Sequence, residues 1–208
     1  MTLDHNHFEA PNESAYVFPD KGYHFNSDWM SPLTENLGFF ELFRDQPTSL
    51  LEIGVMEGRS ACWFFEEVLT HPDSRYTGID NWEECGADWM ADAQEQAVAN
   101  ITLAADPDRW ELIHDDSIMA LSKLHEEGSK FDVIYIDGNH SFSGCLGDTY
   151  MSWSMSKRII VWDDYRRKFD KDYGVWKAVQ WFLRFIPDDQ YKIVLDNYQF
   201  AIEKHQSS

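Results

Sequence analysis

The chain has 208 residues, 43% of them hydrophobic, enough to bury one full-sized core and short for two of typical size. Seventeen Lys and Arg face 37 Asp and Glu, a formal charge of -20. That average field repels phosphodiester backbones and anionic headgroups, which argues against nucleic acid and membranes as partners. No apolar run reaches the roughly 20 residues that span a bilayer, and the start MTLDHNHFEAPNES lacks a signal peptide's basic and apolar regions. Cys62, Cys85 and Cys145 show no metal-type or redox-type pairing, so free thiols and a cytoplasmic location are expected.

Residues 1–47 are rich in aromatics and turn formers, with one helix expected over 32–44 behind a Ser31 cap, and read as a lid or appendage to a domain over 48–208. From there short apolar strands alternate with helical stretches. Strands are expected at 49–54, 75–80, 110–114, 131–137, 158–163, 191–195 and 198–203, and helices most clearly at 60–69, 88–104 and 117–127. Such alternation gives an α/β, doubly wound, mostly parallel sheet with helices on both faces. Only Asp196 and Asn197 separate the last two strands, so a hairpin should make the final strand antiparallel.

Ligands of an open parallel sheet bind at the carboxyl ends of its strands. The first strand runs into Glu52-Ile53-Gly54-Val55-Met56-Glu57-Gly58-Arg59-Ser60. Gly54 and Gly58 permit a tight turn and close ligand approach, and Ser60 can bond an anionic group, although glycines after a strand are also ordinary turn chemistry. The turn is not the G-x-G-x-x-G of dinucleotide enzymes, which lowers a nicotinamide-dependent reading. The second strand ends in Asp80, able to accept both hydroxyls of a ribose or to cap a helix. Asp116 and Ser117 after the third strand could read the amine of an adenine, or cap the next helix. Asp137 ends the fourth strand, with His140 just beyond, and Asp163 and Asp164 end the fifth. Three carboxylates brought together there would repel, and a hard divalent cation such as Mg²⁺ is the usual relief; caps or solvated turns are the plainer explanation. Tyr23, Phe25, Trp29, Trp82 and Trp89 line an acceptor pocket or pack in core and lid.

In this order the motifs resemble the macrocin O-methyltransferase-like family of class I S-adenosylmethionine (SAM)-dependent methyltransferases, and more distantly catechol O-methyltransferase. The resemblance rests on Glu52 to Ser60, Gly78-Ile79-Asp80-Asn81-Trp82, Asp116-Ser117, Asp137-Gly138-Asn139-His140, Asp163-Asp164-Tyr165 and Gly174-Val175-Trp176-Lys177-Ala178-Val179. It implies a Rossmann-like seven-stranded sheet in the order 3-2-1-4-5-7-6. It further implies SAM held by Glu52, Gly54, Gly58 and Ser60 at the methionine end, Asp80 at the ribose, and Asp116 and Ser117 at the adenine. Asp137, Asp163 and Asp164 match the family's metal ligands, and His140 its general base. Catechol-type enzymes carry lysine at the His140 position and asparagine at the Asp164 position, which points away from catechol, and Asp115 stands where glycine is common.

The expected activity is thus methylation, with Mg²⁺, of a hydroxyl on a sugar, polyketide-like or phenolic small molecule; a homo-oligomer is compatible with the sequence. A non-catalytic SAM-binding or partner-docking protein is the competing reading. It would keep the glycine turn but have no use for Asp137, Asp163, Asp164 and His140.

Overall fold

The computed structural model describes residues 16–26, 33, 35–83, 92–166 and 173–205. The expectations placed on Ser31, Trp29, Cys85, Asp88 and Trp89 lie outside them. In chain order the elements are α1 (Leu37–Phe40), a 3₁₀ turn (Glu41–Phe43), β1 (Ser49–Ile53), α2 (Arg59–Glu67), β2 (Arg75–Asp80) and α3 (Ala93–Ala104). A second 3₁₀ turn (Pro107–Arg109) leads into β3 (Trp110–His114), α4 (Ser117–Glu126), β4 (Phe131–Ile136), α5 (Phe142–Met155) and β5 (Ser156–Trp162). The chain closes with α6 (Gly174–Leu183), a third 3₁₀ turn (Asp188–Gln190), β6 (Tyr191–Asp196) and β7 (Phe200–Lys204).

The strands form one seven-stranded sheet in the order β3-β2-β1-β4-β5-β7-β6. β1 pairs parallel with β2 and β4, β2 with β3, and β4 with β5, while β7 lies antiparallel between β5 and β6. The expected antiparallel hairpin is present, with its turn at 197–199, where the Asn197 side chain accepts from the Gln199 amide.

Both faces of the central strands are apolar, as a sheet covered on both sides requires. Leu50, Val133, Tyr135, Ile159 and Val161 pack on one face with Ala61–Phe65 of α2 and Ala97 and Ile101 of α3. Their neighbours Leu51, Ile53, Ile134, Ile136, Ile160 and Trp162 pack on the other with α4, α5 and α6. The period of two along each strand thus sorts alternate residues into two separate cores.

The helix expected over 32–44 is interrupted: Leu33 and Glu35 are helical, Asn36 is a turn, and α1 and the 3₁₀ turn follow as far as Phe43. Residues 16–26 are non-helical and dock on α2 and α3 instead. The Asn100 side chain accepts from the His24 amide and donates to the His24 and Glu57 carbonyls. Arg59 lies 5.1 Å from the Phe25 ring centre and 5.7 Å from that of Phe18, and the Tyr23 hydroxyl donates to Glu66. Tyr23 and Phe25 therefore pack against the domain's helices. No helix among the described residues is long and apolar enough to cross a membrane.

Candidate active site

The loops after β1, β2, β3, β4 and β5 gather at one edge of the sheet, and the acids expected to end these strands stand there. Glu52 is the exception, being wholly buried inside β1. Its carboxyl accepts from the Ser60 hydroxyl at the start of α2 and the Tyr76 hydroxyl of β2. Burial outweighs both bonds and pushes its pKa up to about 8, with Asp137 and Asp80 adding to the rise. Glu52 therefore ties β1 to β2 and α2 beneath the turn.

Gly54 has φ +93°, and a Cβ on it would overlap the Asp137 carbonyl, so only glycine lets β1 and β4 end side by side. Gly58, at φ +77°, has a different reason. A Cβ there would come 3.2 Å from the Cα of Ala97 and from Cγ1 of Ile101, so this glycine seats α3 against the turn. The bare face of this glycine lies toward α3.

Asp80 braces the same turn. One of its oxygens accepts from the amides of Val55 and Met56, both at 2.8 Å, and the other from the Trp82 amide at 2.8 Å. A carboxylate offers about four acceptor positions. Three are taken, leaving room for about one further donor where sequence reasoning allowed two ribose hydroxyls. The Trp82 indole donates to the Met56 carbonyl at 2.8 Å, closing the turn against the β2 loop.

At α4 Asp116 is the N-cap, accepting from the Ile118 amide at 3.0 Å and more weakly from Met119 at 3.4 Å. Ser117 does not share that duty, since its hydroxyl donates to Asp148 of α5 at 2.6 Å.

On the other half of the edge Asp137, His140 and Asp164 converge, with ligand-type atoms within 4.8 Å of one another. His140 Nε2 stands 2.9 Å from an Asp164 oxygen and 3.5 Å from one of Asp137, contacts of ion-pair type rather than aligned hydrogen bonds. A Cβ on Gly174 would overlap the His140 carbonyl, so the start of α6 packs directly on this loop. Burial alone would lower the imidazole's pKa, but the contacts to Asp137 and Asp164 outweigh it and push it up to about 10. The two carboxylates thus favour the imidazolium form of His140. Asp164 sits at φ +53°, a left-handed backbone that turns its side chain to this cluster, and it accepts from the Tyr198 hydroxyl.

Asp163 is held apart from the convergent group. It is 7% exposed, and the Gln199 side-chain nitrogen donates to it at 3.0 Å and to the Tyr135 hydroxyl at 2.8 Å. The Gln199 oxygen accepts from Asn36 at 2.7 Å. Burial, Asp137 and Asp164 all raise the Asp163 pKa. Sequence reasoning missed Gln199 and Asn36, which lie 163 positions apart with no local motif to mark them.

Residues 51–165 match a protein family described as "Methyltransferase domain". A search of curated proteins found no significant match. Among solved structures the chain is similar to the O-methyltransferase TomG from Streptomyces achromogenes, solved with SAM: 18% identity, TM-score 0.62, 85% of this chain and 81% of that one covered. It is similar to a Clostridium thermocellum protein assigned as an rRNA methylase, at 15% identity and TM-score 0.62, covering 83% and 97%. It is also similar to MycE of mycinamycin biosynthesis, solved with Mg, S-adenosylhomocysteine (SAH) and mycinamycin VI: 15% identity, TM-score 0.58, 87% of this chain and 50% of that one. The family match spans more than half of the chain and runs from β1 to the loop after β5, across every strand end that carries the site, so the protein belongs to the methyltransferase-domain family.

Proposed function

We propose that the protein is a SAM-dependent O-methyltransferase acting on a hydroxyl of a small molecule of sugar, polyketide-like or phenolic type. The observation that carries this reading is one sheet edge bearing a glycine turn braced by Asp80 and, beside it, the Asp137, His140 and Asp164 cluster. One half suits a nucleoside cofactor and the other an acceptor that must lose a proton. The similar structures differ in what they act on, an rRNA methylase among them. The charge of -20 favours the small molecule, because RNA methylation needs a basic track.

In this reading Gly54, Gly58 and Ser60, with Glu52 beneath them, shape the methionine end, Asp80 takes a ribose hydroxyl, and the Asp116 to Ser117 step faces the adenine. Asp137 and Asp164 would hold a divalent cation, whose charge would replace that of the imidazolium and leave His140 neutral beside it. Two carboxylates suit a hard cation such as Mg²⁺ or Mn²⁺. When bound, such a cation supplies positive charge that polarises an acceptor oxygen. Asp163, fixed by Gln199, adds negative charge behind the pair. A neutral alcohol is a poor nucleophile, so its proton must leave before or during attack on the sulfonium methyl, and His140 is the base placed to take it. Residues 1–47 belong in this reading as an appendage, of which the described residues 16–26 dock on α2 and α3, with Asn100 bonded to His24.

The test is incubation with SAM and a panel of hydroxyl-bearing metabolites, following SAH release with Mg²⁺ and after chelation. Expected is SAH formation that needs both acceptor and cation. SAM binding with no turnover on any hydroxyl would favour the non-catalytic reading, and equal turnover after exhaustive chelation would remove the metal.

A further inference from the structure

Asp148 lies on the inner face of α5, 1% exposed, and none of the motifs above uses it. One of its oxygens accepts from the Ser117 hydroxyl at 2.6 Å; the other is buried with no hydrogen-bond partner among the described residues. A buried carboxylate with an unmet oxygen costs stability that an apolar side chain would not, so stability does not explain it. α5 comes close here, since a Cβ on Gly147 would lie 3.0 Å from the Ile118 side chain, which brings Asp148 up to the first turn of α4. Burial pushes the Asp148 pKa up to about 6 against the lowering effect of the Ser117 bond, which leaves it mostly ionised at neutral pH and an acceptor only.

The consequence falls on Ser117. A hydroxyl has one proton, and here it is committed to Asp148. What Ser117 can still offer is its oxygen lone pairs. Asp116 beside it is already engaged as the N-cap.

We infer that Asp148 is a positioning residue that sets nucleobase specificity: by taking the Ser117 proton it fixes that hydroxyl as an acceptor, suited to the exocyclic amine of adenine and opposed to a carbonyl at the same place. This rests on the proposed placement of the adenine at the start of α4. The mismatch arises with hypoxanthine, which carries oxygen where adenine carries the amine, so two lone-pair-bearing atoms would face each other.

The experiment is calorimetric titration of the full chain with SAH and with S-inosylhomocysteine, in the parent, Asp148→Asn and Ser117→Ala. An asparagine can turn its amide to donate to Ser117, freeing the hydroxyl proton for a carbonyl. The parent should prefer SAH, and the preference should fall at least tenfold in Asp148→Asn. Ser117→Ala, at a half-buried position, should lose it to a similar degree. A purely structural Asp148 would weaken both ligands together and leave their ratio unchanged; that result in either variant overturns the inference. A parent that binds neither ligand overturns it too, by removing the cofactor assignment beneath it, and the two failures are told apart by whether the parent binds SAH.

Discussion

Replacing Glu52 by glutamine isolates the ionisation of one buried carboxyl. In the folded chain its pKa stands at about 8 against an ordinary 4.5, because burial opposes the charged form more than Ser60 and Tyr76 favour it. Between these values the folded protein keeps a proton that the unfolded chain has lost. Glu52 therefore contributes stability that is fully present below pH 4.5 and is lost as the pH rises toward 8. One pH unit corresponds to about 1.4 kcal/mol, so the whole span amounts to a loss on the order of 5 kcal/mol. Glutamine has no such proton to hold. Urea unfolding of parent and Glu52→Gln, without cofactor, from pH 5 to pH 9, gives a difference in which all other titrations cancel. The variant should gain on the parent steadily with pH and then level off above pH 8. A difference that is flat across the range would mean that Glu52 titrates alike in both states, refuting the burial argument.

Gly58→Val should cost about 2–4 kcal/mol in urea unfolding, from a strained left-handed backbone and the push on Ala97 and Ile101; parent-like stability would contradict the packing role given to this glycine. Gln199→Leu should cost on the order of 3 kcal/mol by leaving Asp163, Tyr135 and Asn36 short of partners, and an unchanged midpoint would show that the network carries nothing. Titration with Mn²⁺ followed by electron paramagnetic resonance should give a bound signal in the parent and at least tenfold weaker binding in Asp137→Asn and Asp164→Asn, and a parent that leaves the free-ion signal unchanged removes the metal. His140→Ala should keep SAH binding while losing roughly 100-fold to 10,000-fold in turnover, and parent-like turnover would make it a loop residue.

Most strands were legible as short runs closed by an acid or a glycine, and β2 and β3 run over the residues expected. Asp196 and Asn197 marked the hairpin, though its turn extends to Gln199 and β7 starts at Phe200. The segment expected as one helix over 32–44 is helical in pieces, broken by a turn at Asn36. Its aromatics Phe40 and Phe43 are buried against the domain, and Asn36 at the break donates to Gln199, a contact that no local pattern marks. At the site, residue types at strand ends named the acids but not their partners. That Gly58 faces α3, that Asp80 is mostly spent on backbone amides, and that Asp163 is tied to Gln199 all depend on contacts distant in sequence. Nor does the position of His140 after β4 show that carboxylates of two different loops stand at close range and push its pKa up to about 10.

The central claim is that the edge formed by the glycine turn and Asp80 binds SAM. Calorimetric titration of the folded chain with SAH, repeated with NAD and with Asp80→Ala, tests it most directly. The account predicts one SAH per chain, no competition from NAD, and at least tenfold weaker binding in the variant, whose Val55, Met56 and Trp82 amides would lose their acceptor. A folded parent that takes up no SAH, or that binds NAD in its place, would contradict it.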